Sequence, residues 1–404
     1  MGLELWIWVA VLVAGLGYFV DVIDLWLFSN FRVVSLRELG LSADEITRTG
    51  ALLLNCQQAG LLVGGLLWGV LGDKRGRAKV MFGSILLYSV GNILNAWVVN
   101  VPQYAALRFV TGLGLAGEIG AGITLVCEIL PKEKRGIGTT FVTGLGVAGA
   151  IVAALMGKYL EWRTAYFLGG MMGLALLTLR IFTHDSTMFT RMCSDASVAR
   201  GSLRLIFGRR DSLVTFLSCV AAGVPIYLTF AIFASFSPEI APAFGIREPL
   251  EVPDVLLSAS IGLTLGDVLA GGLSQLMRAR KAVLFLLIAL TCLTACIIIS
   301  EIFATKMGFI TLIGFLGLFS GYWACLITTA SEQFGTNIRA TVTTMVPNLI
   351  RATAIIMTSA FIYLQSIMSV RTAVCVLVVI VFSIALLGIS RLKETFSRDL
   401  NYYE

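Results

Sequence analysis

Histidine is almost absent from this chain: His184 is the only one in 404 residues. Charge is scarce too, with 13% Asp, Glu, Lys and Arg, where a soluble domain carries about 25%. Eight cysteines occur (Cys56, Cys127, Cys193, Cys219, Cys292, Cys296, Cys325 and Cys375), but they are scattered and form no Cys-x-x-Cys pair. These shortages argue against a zinc, haem or iron–sulfur site and against a disulfide framework. No cofactor or metal is expected. No nucleophile–base pair stands out, so nothing supports an enzyme, and nothing in the basic segments makes a case for nucleic acid.

What the chain has instead is apolar length. It is 57% hydrophobic, with a mean hydropathy of +0.90. That composition indicates a polytopic membrane protein. Runs of about 20 apolar residues, enough to cross a bilayer as a helix, are expected over 5–31, 49–71, 80–99, 102–129, 137–160, 164–183, 212–237, 254–277, 282–302, 307–331, 342–366 and 372–390. Met1-Gly2-Leu3-Glu4 lacks the basic region of a signal peptide, and the first run is too long for a signal core, so it reads as a retained helix. The expected fold is all-α, with twelve transmembrane helices in two six-helix bundles. Residues 1–183 form the first bundle, 184–211 a polar basic loop, 212–391 the second bundle and 392–404 a tail.

Lys and Arg set the expected orientation. With the N-terminus inside, nineteen of the thirty fall in cytoplasmic segments such as Lys74–Lys79, Lys132–Arg135 and Arg278–Lys281. Both termini should therefore be cytoplasmic, and the lipid bilayer is an expected partner.

The chain also repeats itself. Gly69-Val70-Leu71-Gly72-Asp73-Lys74-Arg75-Gly76-Arg77-Ala78-Lys79 follows the second run, and a degenerate copy, Gly271–Lys281, follows the eighth, 202 positions later (271 − 69). Gln275 stands where the copy would have an aspartate. Glu128 with Arg135 follows the fourth run, and Glu332 with Arg339 follows the tenth, 204 positions later (332 − 128). A duplicated six-helix unit of this kind is typical of secondary transporters, whose site lies at the repeat interface near mid-membrane.

Two aspartates, Asp21 and Asp24, lie inside the first run, three residues apart and so on one helix face. A carboxylate in hydrocarbon costs roughly 2.5–3.5 kcal/mol on insertion scales. Two on one face point to a polar cavity and a protonation change within it. The alternative is that both serve structural hydrogen bonds.

The Gly69–Lys79 stretch resembles the loop 2–3 signature of the major facilitator superfamily, and the resemblance extends over the whole chain. Asp21 and Asp24, then Arg108, Gly112, Gly117 and Glu118, then Asp185-Ser186, resemble the branch of proton symporters for metabolites, phosphate and organic acids. The Tyr-Pro that follows the helix 4 acid in phosphate symporters is absent; Ile119-Gly120 stands there. The glycine-proline signature of drug–proton antiporters is missing from Gly144–Gly149.

The resemblance implies that Asp21, Asp24, Arg108 and Glu118 handle protons. Arg108 lies about 9 Å and Asp24 about 10 Å from the outer helix ends at 1.5 Å per residue, and Glu118 about 15 Å deeper than Arg108. Arg108 and Asp24 are thus expected to meet. A nearby guanidinium favours the charged carboxylate and burial the neutral one, so parting them would switch Asp24 between releasing and holding a proton. A permanent structural pair is the alternative. Arg351, in the eleventh run, needs a partner: Asp267, Glu332 or an anionic substrate. Asn55, Gln57, Gln58, Tyr227, Trp323 and Asn348 are further candidate substrate contacts, each open to a packing role instead. By the same resemblance, Gly69, Asp73, Gly76 and Arg77 form a latch. Glu128 with Arg135, and Glu332 with Arg339, form a charge relay at the inner gate, and Asp267 belongs with the gating residues.

The expected function is proton-coupled symport of a small anionic or zwitterionic metabolite, by a monomer in a bacterial inner membrane working through alternating access. The rival is an exporter or exchanger of a metabolite, cation or metal that uses the same acids. A non-transporting sensor on the same scaffold is a third possibility.

Overall fold

The computed structural model describes residues 2–131, 134–180, 202–302, 304–335 and 337–396. The Asp185-Ser186 element, His184 and most of the 184–211 loop lie outside the described residues, as do Lys132 and the end of the tail.

Among the described residues, twelve long helical segments follow one another. They are α1 (Gly2–Glu38), α2 (Ala43–Arg75), α3 (Arg77–Asn95), α4 (Val101–Ile129), α5 (Arg135–Tyr159), α6 (Trp162–Arg180), α7 (Arg210–Ala234), α8 (Val252–Leu276), α9 (Arg280–Ile299), α10 (Lys306–Gln333), α11 (Arg339–Ile367) and α12 (Val370–Arg391). Ten are long and apolar enough to cross a bilayer unaided; α3 and α6, at 19 residues each, are the two outside that group. The protein is a multi-pass membrane protein, and large exposed side chains such as Leu66, Leu265 and Leu387 suit a surface solvated by lipid tails rather than water.

Sequence punctuation sets the helix ends. Gly40 (φ 86°) and Gly76 (φ 105°) take up conformations that side-chain-bearing residues avoid, just after α1 and α2. Asn100 accepts from the Gln103 N–H, Thr305 from Gly308 and Ser369 from Thr372, capping α4, α10 and α12.

Three helices depart from the regular spiral. Helix α4 breaks between Leu115 and Glu118, amid Gly112, Gly114 and Gly117, and α10 breaks between Ser320 and Trp323, at Gly321. Both runs were expected to be continuous; glycine's high helical cost permits the breaks. Pro225 lies inside α7, whose last seven residues, Leu228–Ala234, wind as a π-helix. Proline removes a backbone donor, and the loosened turn repacks.

The two halves are related by the expected repeat. Helices α1, α5 and α6 pack together, as do α2, α3 and α4, and in the second half α7 packs on α12 and α8 on α10. The halves meet along two long seams, α2 against α11 and α5 against α8. Cys127 and Ser331, equivalent positions 204 residues apart, touch each other (Sγ–Oγ 3.9 Å).

Candidate functional site

The centre of the molecule is a seam of buried charge between the bundles. On α1, Asp21 and Asp24 are both fully buried. The Arg351 guanidinium, carried by α11 four residues after Pro347, stands 3.6 Å from the Asp21 carboxylate. That spacing exceeds a hydrogen bond, and neither oxygen of Asp21 accepts one from a protein group. The partner of Arg351 is thus Asp21, neither Asp267 nor Glu332 as expected. The pairing joins helices more than three hundred residues apart, which local spacing does not encode.

Next to the pair lies a small cavity of about 30 Å³, room for a water or two. Tyr18, Trp26, Tyr227, Phe230 and Trp323 line it, and Arg351 is the one charged lining residue. Trp323 Nε1 donates to the Tyr18 hydroxyl (2.8 Å), and the Arg351 guanidinium stands 6.0 Å from the Trp323 ring centre. Tyr18, Trp26 and Phe230 were missed in the sequence. A signal was present for two of them: Tyr18 lies three residues before Asp21 on the same helix face, and Phe230 lies one turn beyond Tyr227.

Asp24 and Arg108 do not form the expected pair: no ion pair within 4.0 Å links them. Arg108 instead donates to Asn92 (2.9 Å) and Gln57 (3.4 Å) and lies over the Tyr166 ring (4.9 Å). Both residues remain in one electrostatic neighbourhood, since the charges of Asp21 and Arg108 both act on Asp24.

Glu118 opens the second half of α4 and pairs with Arg180 at the end of α6, a partner the sequence did not suggest. Gly17 makes room for this pair: a Cβ there would fall on the Arg180 guanidinium and the Glu118 carboxylate. Along α1, therefore, Glu118–Arg180, Asp21–Arg351 and Asp24 with nearby Arg108 form a continuous buried row. Asp267 of α8 accepts from the Ala324 N–H (2.7 Å), capping the second half of α10 where its break exposes a helix start.

Several candidate substrate contacts lie elsewhere. Asn348 donates to the Ala116 carbonyl (2.8 Å), freed by the break in α4. Asn55 pairs with Thr358 (2.7 Å) and Ser359 (3.2 Å) across the α2–α11 seam. Gln57 serves Arg108. Gln58 lines a second small cavity on the other side of Trp26 and Tyr227, together with Ser29, Ser235 and Thr358.

At the end of the molecule where α1 starts and α12 stops, the Asp73 carboxylate accepts from Arg77 (3.3 Å) and from the Thr341 N–H and hydroxyl (2.8 and 2.6 Å). It thereby caps α11 from the opposite bundle, with Gly69 packed flush against Thr341. The expected relay is rewired. Glu128 pairs with Arg77 and Glu332 with Arg280, each at 2.8 Å, while Arg135 and Arg339 turn Nε to the Cys127 and Ser331 carbonyls (2.9 and 3.3 Å). The reason is geometric: the loop arginine and the helix-end acid come from neighbouring helices. Arg135 and Arg339 start new helices of their own and satisfy the preceding turn.

Glu394 adds a cap in the tail, accepting from the N–H groups of Arg280, Lys281, Thr395 and Phe396. Partial burial works against its charge, but those four donors hold its carboxyl below the usual carboxylate range.

Two pseudo-symmetric helical bundles, sealed around buried ion pairs at their interface, define a membrane transporter fold. The family model described as Major Facilitator Superfamily matches residues 14–346, and the chain belongs to that superfamily, whose members here are transporters and not enzymes. It is 29% identical over 203 residues to NiaP of Bacillus subtilis, described as a niacin/nicotinamide transporter; the match spans 49% of this chain and 50% of that relative. It is 24% identical over 321 residues to the 3-(3-hydroxy-phenyl)propionate transporter of Escherichia coli, covering 76% of this chain and 77% of the relative. Among solved structures, the proton:xylose symporter XylE superposes with a TM-score of 0.75 over 98% of both chains at 16% identity, a likeness of fold.

Proposed function

We propose that the protein is a proton-coupled symporter for a small organic anion, working as a monomer in a bacterial inner membrane with both termini cytoplasmic. One observation carries the reading: a buried acid of one bundle faces a buried arginine of the other, 3.6 Å apart, beside a small cavity. Rocking the bundles changes that contact directly. The first bundle buries the acids Asp21, Asp24 and Glu118 with the cations Arg108 and Arg180, and the second contributes Asp267 and Arg351. The substrate named for one relative, 3-(3-hydroxy-phenyl)propionate, is a carboxylate and agrees with an anion, as does the niacin, but not the nicotinamide, named for another.

A proton on Asp21 or Asp24 lowers the repulsion an anion would meet, so proton and anion bind cooperatively. Apparent affinity then falls as pH rises above the pKa of the aspartate that takes the proton. Uptake into proteoliposomes under an imposed pH gradient tests this. Gradient-driven accumulation lost in Asp24→Asn, with exchange retained, supports the coupling role. Uptake indifferent to the gradient in both forms rejects symport and leaves a facilitator or exchanger.

A further inference from the structure

The fully buried acids of the first bundle each stand in the field of an arginine: Asp21 of Arg351, Asp24 of Arg108, Glu118 of Arg180 and Asp73 of Arg77. Asp267, fully buried on α8, differs from them. Among the described residues no Lys or Arg lies within 4.0 Å of it. Its Oδ1 accepts from the Ala324 N–H, and its Oδ2 accepts from no described group. An isolated carboxylate taken out of water neutralises itself by keeping a proton. The break in α10 does not itself demand an acid. The position equivalent to Asp267 in the first half is Gly65 (267 − 202), and the matching break in α4 is served by the neutral amide of Asn348.

Asp267 also stands at the head of a polar line that leaves the central cavity. Leu263 of α8, Val147 of α5 and Trp323 of α10 border that cavity. One turn on, Asp267 follows Leu263 and Thr143 precedes Val147, and Thr143 faces the Asp267 carboxyl. The Thr143 hydroxyl donates to the Thr139 carbonyl (2.9 Å), and the hydroxyls of Thr139 and Thr328 meet at 3.1 Å. Gly271 packs against the Thr140 side chain, and Gln275 lies against Gly136 in the first turn of α5. Because α5 and α8 belong to opposite bundles, the line follows a seam that rocking opens. It ends where α5 starts and α8 stops.

We propose that Asp267 is a proton-binding site: it holds a proton on Oδ2 while the α5–α8 seam is closed, and gives it to water that enters along the threonine line as the two helices part. The inference rests on the proton-coupled reading above and adds the place where the proton leaves. The groups that face Asp267 are Tyr18 from α1, Thr143 from α5, and Cys325 with the Ala324 N–H from α10. Arg280 of α9 and Glu332 of α10, which also act on Cys325, bond each other at 2.8 Å. Tyr18 lies in the field of both Asp21 and Asp267, so it connects the two acids.

The test is infrared spectroscopy of the purified full chain in lipid, which resolves the carbonyl stretch of a protonated carboxyl and the rate of its shift in D2O. It needs neither substrate nor gradient. At about pH 7, well above the ordinary aspartate value of about 3.9, the unaltered chain should show a protonated-carboxyl band that Asp267→Asn lacks. Asparagine still accepts from the Ala324 N–H, so the cap survives the change. Thr143→Val should slow the D2O shift of that band about fivefold, the ordinary worth of one hydrogen bond. Gln275→Ala, which clears the far end of the line, should quicken it by about the same factor. Arg32→Gln, at the opposite end of the molecule, should leave it unchanged.

A spectrum that Asp267→Asn does not alter overturns the site, since the carboxylate is then a charged cap. A D2O shift indifferent to Thr143→Val, or quickened by Arg32→Gln, overturns the route. If Asp267→Asn does not fold, Asp267→Glu decides the site: the band should move rather than vanish, and an unmoved band overturns it. Failure of a pH gradient to drive uptake of any anion removes the symport reading instead and leaves the infrared band as it was, so the two failures are distinct.

Discussion

The two ends of the molecule are closed by different kinds of contact. At the end where α1 starts and α12 stops, two bonds across the bundles run to backbone groups, beside side-chain contacts such as Thr328 with Thr139. Asp73 caps the start of α11 from the other bundle, and Asn348 holds the carbonyl exposed by the break in α4. At the opposite end the closure rests more on side chains. Buried Arg32 reaches across to the Ser235 carbonyl and Glu239, both at 3.0 Å, and Asn55 meets Thr358 and Ser359. A cavity of about 970 Å³ remains open there, bordered by Asn55, Glu239 and Tyr363. Helix starts are fixed donors that stay in place when a side chain turns, whereas a pair of rotatable side chains parts easily. The end away from the start of α1 is therefore held by the more easily parted contacts.

The largest effect should come from Asp73→Asn. The carboxylate is fully buried between Arg77 and α11, and breaking a buried pair by removing one charge costs about 3–5 kcal/mol. The seal at that end should fail, and buried Cys127 should react with a maleimide far faster. Since about 1.4 kcal/mol is already tenfold, a rise below tenfold would mean that the cap is not what holds this end.

Arg32→Gln should weaken the opposite end by less, because Glu239 is partly exposed and exposure screens its charge. A cysteine placed at Ser235 should label a few times faster from that side in the Arg32→Gln background. No change would show that Asn55 with Thr358 and Ser359 suffices.

Gln275→Asp sharpens the contrast by building the missing cap. Gln275 lies against Gly136 in the first turn of α5, the pseudo-symmetric counterpart of Asp73 at α11. An acid there gains about 0.3–1 kcal/mol from the helix start, so Cys127 labelling should slow by a factor of two to five, by that estimate. Faster labelling would show that the amide already makes a contact the carboxylate loses.

The smallest effect is expected at Glu394. Its carboxyl is held below the usual range, so the cap it provides for α9 is complete above the ordinary glutamate value of about 4.3 and is lost as pH falls through its own lower value. Glu394→Gln should reproduce at neutral pH the acid-state exchange of the Arg280 and Lys281 amides measured by hydrogen–deuterium exchange. Unchanged protection would mean that the cap contributes nothing to the order of the tail.

Much of the architecture was legible before any coordinates. Bilayer thickness forces each crossing to be an apolar run of about 20 residues, so the twelve spans stand out. Duplicated motifs mark the two halves. The buried charges were legible for a related reason: an Asp or Arg inside such a run is costly wherever it points, and Asp21, Asp24, Arg108, Glu118 and Arg351 all proved buried. Their partners were not legible. Arg351 meets Asp21, Glu118 meets Arg180, Glu128 meets Arg77, and Asn348 serves the interior of α4 rather than the cavity.

The sequence by itself determined the membrane class, the helical repeat and which side chains must find company, because hydrophobic length and the cost of a buried charge are local properties of a segment. The tertiary structure alone decided who pairs with whom, where α4 and α10 break, and which rings wall the cavity. Those outcomes depend on how helices distant in the chain are rotated and stacked against one another. A helix period gives the face of a residue but never the neighbour that covers it.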